Sequence, residues 1–398
     1  MEKQKIKIGL GLVPKLIIGI ILGILIGMYL PEWVGRLIVT ASSLFSMFLK
    51  FVIPMMILAF VTMGIADLTQ GAGKLLGITA AISYASTLIA GSVSFFVANS
   101  LFMSFMDPEA LERIAKTAGI SVAPYLSLSV TPILDTLAAV LLAFILGLCM
   151  STMRGNEIGN TLYDFMKDFS AIINKVLHTI IVPFLPLYIC GTFIDMTRSG
   201  KTFAILGILW KVFIIVIIMH LLYLVFAFFV AGGISKKNPL MLLKNQIPGY
   251  TTAVGTQSSA ATIPVNLECA KADGISEEIR NFVVPLCANI HMAGSMITIT
   301  ACATAVCMMN GLPISINTVV PFIATLGIAM VASPGAPGGS IMTALPFLYM
   351  VGLGTEELQA IMIALYITQD SFGTACNVSG DNAIGLIVDA IYKKWIKE

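Results

Sequence analysis

Asp370, Thr374, Asn377 and Asp381 lie four, three and four residues apart in the stretch Thr368-Gln-Asp-Ser-Phe-Gly-Thr-Ala-Cys-Asn-Val-Ser-Gly-Asp381. On a helix these side chains share one face, because residues three and four apart stack one above the other. The stretch sits deep in an apolar segment from Leu358 to Ile391, which places two carboxylates, a hydroxyl and an amide inside a membrane. Ionisable side chains there are costly and by default mark a substrate or ion path. The alternative is a polar seam between packed helices.

Residues 281–392 contain no Lys or Arg. In a dry site a second carboxylate on a substrate needs a cationic partner, usually a bidentate Arg, so an acidic amino acid or dicarboxylate is disfavoured. Asp370 suits an ammonium, while Thr374, Asn377 and backbone N–H groups at hairpin tips can donate to a carboxylate. Together they describe a site for a zwitterion with a neutral side chain. Asp381 lies one turn beyond Asn377, near backbone carbonyls wherever the helix opens at Gly380. Carboxylate plus carbonyl oxygens make a hard-cation site, and Na+ is the ion expected of a symporter. His291, within Asn289-Ile-His-Met-Ala-Gly-Ser295, either titrates and carries a proton or serves as a neutral hydrogen-bonding residue in a buried helix. It has no evident nucleophile partner, which argues against an intramembrane hydrolase.

These side chains are set in a chain of 398 residues that is 58% hydrophobic and 11% charged, with mean hydropathy +0.95. A soluble domain is about one quarter charged, so the composition is that of a polytopic all-α membrane protein. A net charge of +2 points to no polyanion partner and excludes nucleic-acid binding. The seven cysteines fall almost entirely in apolar stretches without C-x-x-C spacing, and read as small apolar fillers. The histidines carry no metal-ligand spacing, no cofactor is implied, and the apolar run after Lys15 is followed by no small-residue cleavage motif.

The elements that must position the polar face follow from hydropathy. Spans are expected at Leu16–Leu30, Leu37–Ile65 (tilted, kinked at Pro54), Leu75–Met106, a broken stretch from Ile120 to Met153, Phe169–Ile194 and Phe203–Val230. Arg154–Asp168 reads as a charged inner connection. Placing the lysine-rich start in the cytoplasm puts Arg154, Lys167, Lys175, Lys236, Lys237, Lys244, Lys393, Lys394 and Lys397 on the same side. Both termini are then cytoplasmic. Thr251–Pro264 is hydroxyl-rich with apolar flanks too short for two crossings, and fits a hairpin that enters partway and returns. A seventh span, Phe282–Met309, follows. Pro321–Met350 is apolar but interrupted at Ser333-Pro-Gly-Ala-Pro-Gly-Gly-Ser340, a second hairpin, before the eighth span carrying Asn377-Val-Ser-Gly-Asp381. Two Gly/Pro-interrupted segments in corresponding positions point to a transporter site built from repeats of opposite topology.

Several motifs are similar to those of the dicarboxylate/amino acid:cation symporters, the glutamate transporter family. They are Thr256-Gln-Ser-Ser-Ala-Ala-Thr-Ile-Pro264, Asn289-Ile-His-Met-Ala-Gly-Ser295, Gly335-Ala-Pro-Gly-Gly339 and the Asp370–Asp381 helix, with Phe48-Leu-Lys-Phe-Val-Ile-Pro54, Tyr84 and Thr87 upstream. Ser-Ser-Ala-Ala-x-Ile-Pro-Val-Asn at 258–266, Met292-Ala-Gly294 and Gln369-Asp-Ser371 look most like the sodium:serine/threonine symporter branch.

The resemblance implies eight transmembrane helices, two re-entrant helical hairpins, inverted repeats, a homotrimer and an elevator motion. It assigns 1–73 and 120–197 to a scaffold, and 74–119, 198–237 and 238–398 to a transport domain. Substrate would be held among Ser258, Ser259, Ser295, Ala336, Gly339, Asp370, Gly373, Thr374 and Asn377. One Na+ would sit on Asp381 with main-chain oxygens of Cys287, His291 and Asn377, and a second near Met292 and Ser333. Gly373 stands where acidic-substrate members carry an arginine, and Gln257 replaces the arginine usual at the first hairpin tip. Ala293 and His291 replace the Asp and Asn of a further Na+ site, and Leu88 adds nothing polar beside Thr87, so that third site is expected to be missing.

The expectation is a Na+-coupled symporter of a small neutral amino acid, of the serine, threonine or alanine type, in the cell (inner or plasma) membrane. The alternatives are a proton-coupled carrier, a carrier of a larger substrate such as cystine or a dicarboxylate, and a channel or ligand sensor using the same pocket.

Overall fold

The computed structural model describes residues 12–68, 73–104, 122–134, 136–153, 157–200, 202–331, 333 and 338–395, which are predominantly helical, without a strand among them. The helices are α1 Leu12–Tyr29, α2 Glu32–Leu68, α3 Gly73–Phe102, α4 Thr136–Met153, α5 Glu157–Val176, α6 Val182–Arg198 and α7 Thr202–Ser235. They continue with α8 Pro239–Thr256, α9 Ser259–Ala272, α10 Glu277–Ile290, α11 Ala293–Met309, α12 Ile316–Met330, the short α13 Gly339–Ala344 and α14 Glu356–Trp395. Among the described residues, five stretches are long and apolar enough to cross a membrane: Glu32–Phe60, Leu75–Phe102, Gly159–Arg198, Leu209–Ser235 and Glu277–Met309. α14 is not among these five, despite its 40 residues, because its polar face dilutes its hydropathy.

Three boundaries differ from the sequence expectation. The charged run ending at Asp168 is helix from Glu157 onward, and a single π turn, Leu177–Ile181, carries it into α6. Charge was misleading there because the polar residues occupy one side of an amphipathic helix whose Met166 and Ile173 are buried. In the fourth stretch, residues 122–134 are non-helical and only Thr136–Met153 is helix. The seventh span is two helices, α10 and α11, separated at His291–Met292.

α1 lies along α6, while α2 packs on α4 and α6. A stripe of Gly19, Gly23 and Gly27 makes the first contact possible: an added Cβ would lie 2.6, 2.6 and 2.7 Å from Pro186 O, Cys190 O and Thr197 Cβ. Small residues four apart allow apolar helices to approach closely where no hydrophobic effect drives them together. α11 and α14 form the centre of the molecule, packing on each other and on α3 and α7. Every residue of α11 from Ala293 to Cys307 is buried, as is α14 from residue 373 to 386.

The two stretches read as hairpins each form a helical pair. α8 ends at Gln257, whose left-handed backbone (φ +53°) reverses the chain, and the Ser258 side chain caps α9 by accepting from Ala261 N at 3.3 Å. α12 leads through the interrupted segment to α13 and a 3-10 turn, Leu345–Val351. Hairpin 1 is fastened to α14 by a buried amide cluster. Asn266 Nδ2 donates to Val378 O at 2.9 Å, Asn382 Nδ2 to Gln246 Oε1 at 2.7 Å, and Gln246 Nε2 to Asn266 Oδ1 at 2.9 Å.

Candidate functional site

The break between α10 and α11 leaves the first N–H groups of α11 without helical partners inside the molecule. The Asn377 side chain of α14 supplies them: its Oδ1 accepts from Gly294 N at 2.7 Å and Ser295 N at 3.2 Å. Its Nδ2 is left to donate to Ser295 Oγ at 2.9 Å, beside Met292 Sδ at 3.5 Å. A cap supplied from another helix is invisible to sequence spacing. Gly294 permits the approach, since a Cβ there would meet Gly373 O at 2.4 Å.

Asp370 and Thr374 lie one turn apart on the same face as Asn377, all three buried. Asp370 Oδ2 accepts from Gly338 N at 2.7 Å, at the start of α13, and Thr374 Oγ1 is 3.5 Å from Asp370 Oδ1. Ser295 Oγ also meets Tyr366 OH at 2.9 Å and Ser340 Oγ at 3.2 Å. Tyr366 and Ser340 were missed in the sequence. A tyrosine in an apolar helix reads as core filler, and nothing in the spacing marks it.

Of the other residues expected to hold substrate, Gly339 opens α13, and Ala336 lies outside the described residues. Ser258 and Ser259 sit at the hairpin 1 turn, Ser259 buried, while Ala253 of α8 packs on Ala375 and Val378 of α14. Gly373 faces α11: a Cβ there would touch Thr298 Oγ1 at 3.5 Å and the Gly294 backbone at 3.7 Å. The same two groups bind His220 Nε2, 3.0 Å from both Gly294 O and Thr298 Oγ1. A Cβ at Gly373 would therefore make ordinary van der Waals contact with α11.

Asp381 and His291 form the second part of the site. Asp381 Oδ1 lies 3.0 Å from His291 Nδ1, which is also 3.3 Å from Asn377 O, while Asp381 Oδ2 is buried with no partner. On the other side of the ring, Nε2 is 3.1 Å from Tyr223 OH and 3.3 Å from Ser86 Oγ. One expectation is corrected here. α14 does not open at Gly380 but runs as unbroken helix. Gly380 instead makes room for the imidazole, whose Cε1 lies 2.4 Å from where a Cβ would be. The His291 ring thus lies on Asp381, and Cys287 O accepts from His291 N at 2.9 Å. The orphaned Oδ2 retains a free, dry carboxylate oxygen of the kind that suits a hard cation. At the second expected ion position, Ser333 Oγ is likewise buried without a partner, and Met292 O accepts from Met296 N at 2.9 Å.

The model of the sodium:dicarboxylate symporter family matches residues 12–391. The chain belongs to the sodium:dicarboxylate symporter family. It is a transporter and not an enzyme, and its membership agrees with the motifs read from the sequence. Among relatives, it is 27% identical to the serine/threonine transporter SstT of Acinetobacter baylyi, over 96% of this chain and 98% of that protein. It is also 30% identical to excitatory amino acid transporter 2 of Homo sapiens, over 54% of this chain and 39% of that protein. Excitatory amino acid transporter 3 of Mus musculus is 28% identical over 67% of this chain and 50% of its own length. The family match thus runs from the start of α1 to Ile391 in α14.

Proposed function

We propose that this protein is a secondary active symporter that couples Na+ entry to uptake of a small neutral amino acid of the serine, threonine or alanine type. The observation that carries the reading is the composition of the pocket. Asp370 faces hairpin 2 with a backbone N–H as its partner, Asn377 Nδ2 points at a hydroxyl, and residues 281–392 hold no cationic side chain to meet a second carboxylate. An ammonium at Asp370 and a carboxylate at Asn377 and Thr374 leave a neutral side chain. The unpartnered carboxylate oxygen of Asp381 supports a coupling cation on the same helix. Full-length similarity to a serine/threonine transporter is in accord with it.

In this reading α3 and α7–α14 form a transport domain that moves against a scaffold of α1, α2 and α4–α6. Eight spans and two re-entrant hairpins in inverted repeats, a homotrimer, and cytoplasmic termini in a cell membrane complete the picture. Purified protein in liposomes is expected to accumulate labelled serine or threonine under an inward Na+ gradient. Uptake of aspartate or a dicarboxylate with no uptake of neutral amino acids would overturn the assignment. The His291–Asp381 contact favours one second reading, proton coupling, for which uptake under a pH gradient without Na+ is the mark.

A further inference from the structure

Three hydroxyl groups meet beside the ammonium and carboxylate ends of the pocket. Tyr366, the largest fully buried side chain of the described residues, brings its OH to 2.9 Å from Ser295 Oγ, and Ser340 Oγ lies 3.2 Å from the same atom. Asn377 Nδ2 is a third neighbour at 2.9 Å and can only donate. A hydroxyl oxygen has two acceptor positions and one proton. Ser295 therefore cannot accept from all three, and its own proton must turn toward Tyr366 or Ser340. The cluster can reverse its donors and acceptors by rotating hydroxyls, without moving backbone.

Two of the contacts cross the seam between hairpin 2 and the body of the site: Gly338 N to Asp370 Oδ2, and Ser340 Oγ to Ser295 Oγ. A substrate that reaches Asp370 and Asn377 together must part this seam and break both. Its ammonium replaces the Gly338 N–H at Asp370. What replaces Ser340 at Ser295 depends on the side chain. A hydroxyl both donates and accepts, and so rejoins the separated groups. A methyl leaves them without partners in a dry site, and buried polar groups left unpaired are what make a hydroxyl-reading site reject the analogue that lacks one.

We propose that Ser295, Ser340 and Tyr366 form a subsite that selects a hydroxyl on the substrate's side chain, making hydroxy amino acids the preferred cargo over alanine. This rests on the zwitterion reading above and narrows it. Tyr366 is the specificity-determining residue that neither the spacing nor the family resemblance assigns.

The test is titration of the full-length purified protein with L-serine, L-threonine and L-alanine in Na+ buffer, by calorimetry or thermal shift. Serine is expected to bind at least about ten-fold more tightly than alanine. Tyr366→Phe should bring the two within about three-fold by weakening serine more than alanine, a smaller loss common to both being expected because the Tyr366 hydroxyl also bonds Asp370. Ser340→Ala, a smaller change on the other side of the seam, should narrow the ratio in the same direction if Tyr366→Phe fails to fold. Equal affinity for serine and alanine in the wild type, or a parallel loss of both in Ser340→Ala, overturns the subsite while leaving the neutral amino acid assignment standing. Binding of no neutral amino acid by the wild type would instead remove the broader reading, and the subsite with it.

Discussion

At the scale of single residues, the proposed site makes Asp370 the first test of binding. Asp370→Asn keeps the shape and the hydrogen bond from Gly338 N but removes the charge. Losing one partner of a buried charged pair costs about 2–5 kcal/mol, so amino acid binding should weaken by at least about thirty-fold in calorimetry. Size-exclusion behaviour should stay unchanged. Gly380 offers a sharper structural test, because a Cβ there would lie 2.4 Å from His291 Cε1. Gly380→Ala should lower thermal stability by about 1–3 kcal/mol through overpacking. In a His291→Ala background the same substitution should cost less than about 1 kcal/mol, since the two positions share one space. Additive losses in that double-mutant cycle would show that the ring does not occupy the slot. The acid, hydroxyl and amide of α14 were legible in the sequence because polar residues at helical spacing stand out in an apolar segment. The roles of His220, His291 and Tyr366 were not. Their partners come from other helices, and a side chain's type does not reveal whom it meets across 70 or more residues of chain.

At the scale of elements, the long α2, the existence of two interrupted helical pairs and the central pair of polar helices follow from hydropathy and from Gly and Pro placement. The break between α10 and α11 does not, since no Gly or Pro stands at His291–Met292. It is held instead by Asn377 and by Thr87, whose Oγ1 lies 3.3 Å from Met292 N. The Gly19, Gly23 and Gly27 stripe was equally silent until α6 was placed beside it. Gly23→Val should force α1 away from Cys190 O and Phe193, lowering the melting temperature by an amount corresponding to about 1–3 kcal/mol. Where hairpin 1 joins α10, Asp273 is buried with Oδ1 accepting from Asn245 at 3.0 Å and Oδ2 unpartnered. Burial pushes its carboxyl up to about 6, against the Asn245 bond and the Lys237 charge. A carboxyl raised in the folded state is stabilising while protonated, and that contribution is lost as pH rises from about 4 through 6. Asp273→Asn should therefore flatten the decline in melting temperature across that window and raise stability at neutral pH.

At the scale of the whole molecule, the two groups of helices are tied by polar contacts at the start of α14. Lys50 of α2 pairs with Glu356, Ser46 Oγ donates to Glu356 Oε2 at 2.7 Å, and Tyr188 OH donates to Glu356 O at 3.1 Å. Both charged side chains are about half exposed, so the ion pair is worth about 0–1 kcal/mol. Lys50→Met should thus change the uptake rate by no more than about five-fold, without altering substrate affinity, as measured in liposomes. A larger loss would mean that the tie does more than bias one position of the proposed transport domain. The unbroken course of α14 bears on energy conversion itself. From residue 370 to 381 the helix rises about 16 Å without interruption. On the proposed assignment, the residues that hold the amino acid and those that hold the ion are therefore carried on one unbroken helix. On that assignment, coupling between the two cargoes would fall to the segments packed against α14, among them the one that brings Gly338 N to Asp370, with α14 as their fixed ruler.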